Sequence, residues 1–161
     1  MLMPLALFAI FGIVFPSCSD EPQKQTTLSE EYAGTYSGTI TLNVAGQYAY
    51  DADISCVITR GDDETITIAF PEYSLAGTMM GDMTLGAVTV AGLAYDETKG
   101  GFFRDYGGSG ITQTMNGNTY PLNDPSSILA AKDKDGNLTI ENPFTLGKMP
   151  LPLTATFKGR K

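Results

Sequence analysis

The sequence predicts an all-β protein built as a single antiparallel, meandering β-barrel of about eight strands. Three observations carry this. Residues 32–44 alternate strictly between two faces, the period-two mark of a half-buried strand. Eight to ten short strand patterns recur at spacings of 8–15 residues, and no stretch reads as a helix of more than two turns. Gly and Pro together supply 27 of 161 residues, above the ordinary share, so turns are frequent. A barrel is the economical closure for such a chain because it leaves no exposed edges.

The chain opens on an uncharged run, Met1 to Phe15, rich in Leu, Phe and Ile. It is shorter than the roughly 20 residues a membrane-spanning helix needs and matches the apolar core of a signal peptide. No Lys or Arg precedes it, the one feature of a signal peptide that is missing, and the true start codon is therefore expected to lie upstream or to be misplaced. The run ends in Val14-Phe15-Pro16-Ser17-Cys18, followed at once by Ser19-Asp20-Glu21. Every charged residue lies beyond Cys18. Residues 1–17 are read as a signal peptide and 18–30 as a flexible polar tether interrupted by Pro22. Residues 31–161 are read as the folded domain.

Within that domain Tyr32, Gly34, Tyr36, Gly38, Ile40, Leu42 and Val44 share the first strand's apolar face. Gly46-Gln47 is a turn, and a second strand from Tyr48 to Thr59 carries Ile54 and Cys56. A third runs from Glu64 to Phe70 and is closed by Pro71, which cannot continue a central ladder. Tyr73–Met79 and Met83–Tyr95 read as two further strands. Phe102–Arg104 and Gly110–Met115 flank a glycine-rich loop, and Asn116-Gly117 is a hairpin turn. Ser126–Lys132 and Leu138–Glu141 surround Asp135-Gly136. The last strand covers Leu151 to Phe157.

Composition excludes several function classes. The net charge is −8, with Lys and Arg scattered, which argues against binding a nucleic-acid backbone. There is no His, so Ser-His catalysis and the commonest metal ligand are absent. Gly107-Gly108-Ser109-Gly110-Ile111 misses the last glycine of a nucleophile elbow and reads as a flexible loop. Asp133-Lys134-Asp135-Gly136-Asn137 does not keep the helix–loop–helix calcium spacing and reads as a hairpin turn. Asp62-Asp63-Glu64 is read as a solvated turn. No cofactor, no metal and no enzymatic activity are expected. Cys56 reads as a buried core thiol.

Two resemblances add to this. Val14 through Cys18 resembles a lipobox, the cleavage site of bacterial lipoprotein signal peptidase, and Ser19-Asp20-Glu21 resembles the acidic export tag of Bacteroidetes lipoproteins. That resemblance implies lipid attachment at Cys18 and an outer-membrane location facing the cell surface. Gly34-Thr35-Tyr36 resembles the Gly-x-Trp opening of lipocalins and other calycins. Met149-Pro150-Leu151-Pro152-Leu153 through Arg160 is similar to the last strand of calycin-like Bacteroidetes lipoproteins. A calycin barrel implies that Tyr36 plugs one barrel end, near a late basic residue such as Arg160. It also implies room for one ligand.

Two functions are therefore expected, the first leading and the second its alternative. In the first, a small apolar or amphipathic ligand sits inside the barrel against Tyr36, Ile40, Ile54 and Cys56. In the second, the domain is a surface module that binds a glycan or a protein through its loops. Loop 98–110, with Tyr95, Phe102, Phe103 and Tyr106, is the candidate surface.

Overall fold

The computed structural model of the chain describes residues 26–161, so Cys18 and the signal-peptide reading lie outside the described residues. The described part begins with a short helix, α1 (Leu28–Tyr32), opened by a capping box. The Thr27 side chain accepts from the Glu30 backbone and the Glu30 carboxylate accepts from the Thr27 backbone. α1 covers the end of the stretch read as tether, and it takes Tyr32 out of the first strand. Ser29 is buried and donates to the Glu64 carboxylate at 2.8 Å. Arg60 then pairs with both Glu30 and Glu64, at 2.8 and 2.7 Å.

Twelve strands follow: β1 (Gly34–Val44), β2 (Tyr48–Arg60), β3 (Ile66–Phe70), β4 (Tyr73–Thr78), β5 (Gly81–Leu85) and β6 (Val88–Asp96), then β7 (Gly101–Asp105), β8 (Thr112–Met115), β9 (Asn118–Asn123), β10 (Ser127–Lys132), β11 (Leu138–Leu146) and β12 (Leu153–Arg160). Eight of them close a ring in the order β1-β2-β3-β6-β7-β10-β11-β12, with β12 returning to β1. Every pairing is antiparallel and the ring follows the chain, so this is the expected meandering barrel. The two omitted hairpins, β4–β5 and β8–β9, form an annex that joins the long strand β11 through β9.

The direction of each strand sorts the two ends. Short turns at 61–65, 97–100 and 133–137 lie at the α1 end. The two inserted hairpins lie at the other, where they extend the wall beyond β3, β6, β7 and β10. Barrel and annex share one continuous apolar core, from Tyr36 and Phe102 near α1 to Leu75, Met83, Leu85 and Leu122 in the annex.

Alternation explains the walls. In β1 Tyr36, Ile40, Leu42 and Val44 are buried, while Thr35 and Ser37 point outwards. On the outer face Ser37 meets Ser55, Thr39 donates to Asp53 and Thr41 donates to Asp51, a cross-strand polar ladder. Gly38 is required by proximity. A Cβ there would lie 2.0 Å from the Lys158 carbonyl oxygen, so β1 and β12 could not approach.

Several sequence expectations need correction. Met83–Tyr95 is not one strand: it breaks at Gly86-Ala87, and its halves enter the annex and the barrel separately. β9 was hidden because Asn118, Thr119 and Pro121 are exposed and only Leu122 is fully buried. The last strand starts at Leu153 rather than Leu151. Segment 98–110 is not one loop, since β7 occupies Gly101–Asp105 in the middle of it. Gly107 and Gly108 are tied down by backbone bonds to Ser126 and Leu122, so the glycine-rich stretch is pinned.

Candidate functional site

The strongest concentration of chemistry lies at the α1 end of the barrel. Tyr36 is fully buried, and its hydroxyl donates to the Tyr32 carbonyl oxygen at 2.8 Å. Above the ring stand two ammonium groups, Lys161 Nζ at 5.5 Å and Lys132 Nζ at 6.0 Å from its centroid. Both lysines also donate to the Glu31 carbonyl oxygen, at 3.0 and 3.2 Å. The Lys132 backbone N–H donates to the Tyr32 hydroxyl, and Tyr32 packs edge-on to Phe102 at 4.8 Å. These contacts seal the end of the barrel by fastening α1 across it.

The ring plug at Tyr36 is the one the resemblance implied, but its cation is not. Arg160 faces outwards from β12 opposite Ser37, and Lys161, one residue further, takes the place. Burial, with Lys132 nearby, lowers the Lys161 pKa. Burial pushes Tyr36 up to about 12, assisted by Tyr32 and Cys56. The Cys56 thiol, opposite Tyr36 in the ladder, is also pushed up to about 12 by burial. It is free and buried, and burial holds it as the thiol, the unreactive form, at neutral pH.

The interior beyond this seal is occupied by side chains. Tyr36, Ile40 and Cys56 are at most 1% exposed, as are Ile58, Phe102 and Phe157 around them. Ile54, the remaining residue expected to meet a ligand, is only half-buried and packs against the core from its rim. It lines an open depression of about 510 Å³ on the outer wall, with Ser37, Thr39, Asp53 and Ser55. Three of the four residues thus belong to the filled core, and Ile54, on the same face of β2 as Cys56, packs against it from the rim.

At the annex end Tyr106 is buried and donates to Asn142 at 2.6 Å, so its hydroxyl is spent inside. Phe102 is likewise core. Of the four aromatics expected to form a loop surface, Tyr95 is exposed and Phe103 partly so, with Lys99 4.5 Å over the Phe103 ring. Tyr95, Tyr32, Leu28 and Lys132 line a second open depression of about 360 Å³ beside α1. The sequence alone did not show this grouping, because Leu28–Glu30 fell in the tether and Tyr32 in the first strand.

Acidic clusters are committed to structure. The Asp133 carboxylate accepts from Asp135, Asn137 and the Asn137 side chain, contacts led by Asn137 that hold it below the usual carboxylate range. This is the expected hairpin turn. Among the described residues, no three His, Cys, Asp or Glu side chains gather as a metal site. None of the described helices is long and apolar enough to cross a membrane.

Comparison with known proteins decides the family. The model of the calycin-like β-barrel domain matches residues 32–160. This chain belongs to that family. The calycin-like barrel is also similar in structure to a Bacteroides fragilis protein provisionally described as an outer membrane protein. The TM-score is 0.59 at 24% identity, over 84% of this chain and 53% of the other. The chain therefore spans about half the length of that protein, and the likeness is one of fold. No curated protein matches the chain.

Proposed function

We propose that this protein is a lipid-anchored outer-membrane protein, facing the cell surface, that binds a glycan or a protein partner through its outer surface without catalysis. The observation that carries the reading is the filled interior. Tyr36, Phe102, Phe157 and the aliphatic side chains between them occupy the space that a ligand would need. An eight-stranded barrel is just wide enough for its own side chains to fill it, and here they do. Recognition is then left to the outer face and the loops, with the barrel as scaffold.

The anchor rests on Cys18 and the residues around it, together with the likeness to a provisionally described outer membrane protein. A thiol alkylated by diacylglycerol and then acylated on its new amine carries enough chain to stay in the bilayer, since each buried methylene contributes about 0.8 kcal/mol. Seven residues lie between Cys18 and Thr26, so eight residue steps give a reach of at most about 28 Å. Lipidated Cys18 would therefore keep the α1 end near the membrane and turn the annex outwards. Labelled palmitate should enter the wild type and be lost from Cys18→Ala; equal labelling overturns the anchor.

A second reading keeps a small apolar or amphipathic ligand against Tyr36, Ile40, Ile54 and Cys56. The half-buried Ile54, at the rim of the core, is the observation that favours it. Titration with a fluorescent fatty acid separates the two. The proposed function expects no saturable binding, and a one-to-one isotherm would restore the interior ligand.

A further inference from the structure

Among the described residues, the barrel wall has a long unpaired seam along β2. Strand β2 is 13 residues long, but β3 pairs only with its last four, Val57 to Arg60. The next residue after β3 is Pro71, which has no N–H to give a ladder. β4 then runs beside β2, yet among the described residues no strand pairing joins them. A bond from the Met79 backbone N–H to the Tyr50 hydroxyl, at 2.8 Å, bridges the two. Tyr48 to Cys56 thus has β1 as its ladder partner and an unused backbone edge on the other side.

Exposed apolar side chains border one end of that edge. Tyr48 (44% exposed) stands there, with Met79 (52%) and Met80 (39%) on the β4–β5 turn beside it. Such side chains are normally scattered, and a group bordering an unpaired strand marks a contact surface. The charge there has one sign. Asp51 and Asp53 are exposed on β2, and Glu72 and Asp82 lie on the opposite bank. From residue 33 to residue 98 the sole cation is Arg60, already paired with Glu30 and Glu64.

Building on the outer-surface reading above, we infer that this seam receives an extended, cationic segment of a partner protein, which adds as a strand to the β2 edge. Its backbone takes up the free hydrogen-bonding groups of Tyr48–Cys56 and displaces the Met79–Tyr50 bond. Alternate side chains of the segment are apolar, lying over Tyr48, Tyr50 and Ile54, and basic, facing Asp51 and Asp53. A second copy of this chain is a poor occupant. Antiparallel pairing of two β2 edges would set Asp51 and Asp53 against the same carboxylates.

The probe is a nine-residue peptide alternating Lys with Val and Ile, titrated into the isotopically labelled protein and followed by NMR. Amide shifts should concentrate at Tyr48–Ser55 and at Met79–Met80. N-methylating every second peptide amide should weaken binding at least tenfold in one register and less than twofold in the other, because a strand bonds through one edge. Asp51→Lys with Asp53→Lys should weaken it at least tenfold while the spectrum stays dispersed. No binding, shifts mapping elsewhere, equal loss in both N-methyl registers, or self-association of the protein through β2 would each overturn the inference. Failure of the seam alone leaves the outer-surface reading standing, since that reading falls only if the interior proves to hold a ligand.

Discussion

Removing the Tyr36 ring is the sharpest perturbation of this barrel. Tyr36 is fully buried, its hydroxyl holds the Tyr32 carbonyl, and two lysines share its face. Tyr36→Phe keeps the ring and deletes one donor, leaving the Tyr32 oxygen without that partner, a cost of about 1–2 kcal/mol. Tyr36→Ala also removes the ring. A buried aromatic truncated to alanine costs about 3–5 kcal/mol, and each cation stacked on the lost face adds about 0.5–1 kcal/mol. The total for Tyr36→Ala is therefore about 4–7 kcal/mol, a large share of the roughly 5–15 kcal/mol stability of an ordinary domain. Urea unfolding followed by circular dichroism measures both variants, with an unchanged m-value as the check on a two-state comparison. A loss below about 2 kcal/mol in Tyr36→Ala would refute the reasoning, because a ring that plugs a packed barrel cannot be removed so cheaply.

Other consequences follow from single contacts. Gly38→Ala would push a Cβ against the Lys158 carbonyl and part β1 from β12, costing about 3 kcal/mol in urea unfolding. Gly46→Ala has a positive φ but open space around it, and should cost only about 1 kcal/mol. Cys56 and Tyr36 both have folded pKa values raised above their ordinary ones, so the stability they contribute is full below about pH 9 and declines as pH rises towards 12. Cys56→Ala should remove its share of that alkaline decline, which approaches about 1.4 kcal/mol per pH unit while the unfolded thiol alone ionises. Unfolding midpoints from pH 8 to 11 measure it, and parallel profiles for wild type and variant would contradict the assignment. Tyr106→Phe leaves Asn142 without its buried donor and should cost about 2 kcal/mol by the same unfolding assay.

The walls of the barrel were legible in the sequence because alternation records which face is wet. β1 shows this best: one side meets the core and the other carries Thr and Ser, so the pattern is unambiguous. The same rule misled at Tyr32, whose parity continues that of β1 although the residue closes a helix. The capping box at Thr27 and Glu30 was present in the sequence and marks that helix start. β9 could not be seen, since a strand of the annex with one fully buried residue leaves too little contrast. The adjacent aromatics Phe102 and Phe103 looked like one surface, but neighbours on a strand face opposite ways, and only Phe103 is left partly in water. The Tyr36 plug was readable from Gly34-Thr35-Tyr36. Its cation was assigned one residue early because β12 turns Arg160 outwards and Lys161, past the strand's end, reaches back over the ring. The unpaired edge of β2 depends on where β3 stops and β4 diverges, a long-range fact that only Pro71 hinted at.

The central claim is that the interior is filled by the protein's own side chains and that recognition belongs to the outside. Native mass spectrometry of the protein extracted in mild detergent from the cells that make it tests it most directly. The expected mass is that of the mature chain with its lipid on Cys18 and nothing else held in the barrel. A further small molecule retained one-to-one in wild type, and lost when the interior is narrowed by Ala155→Leu, would contradict the account.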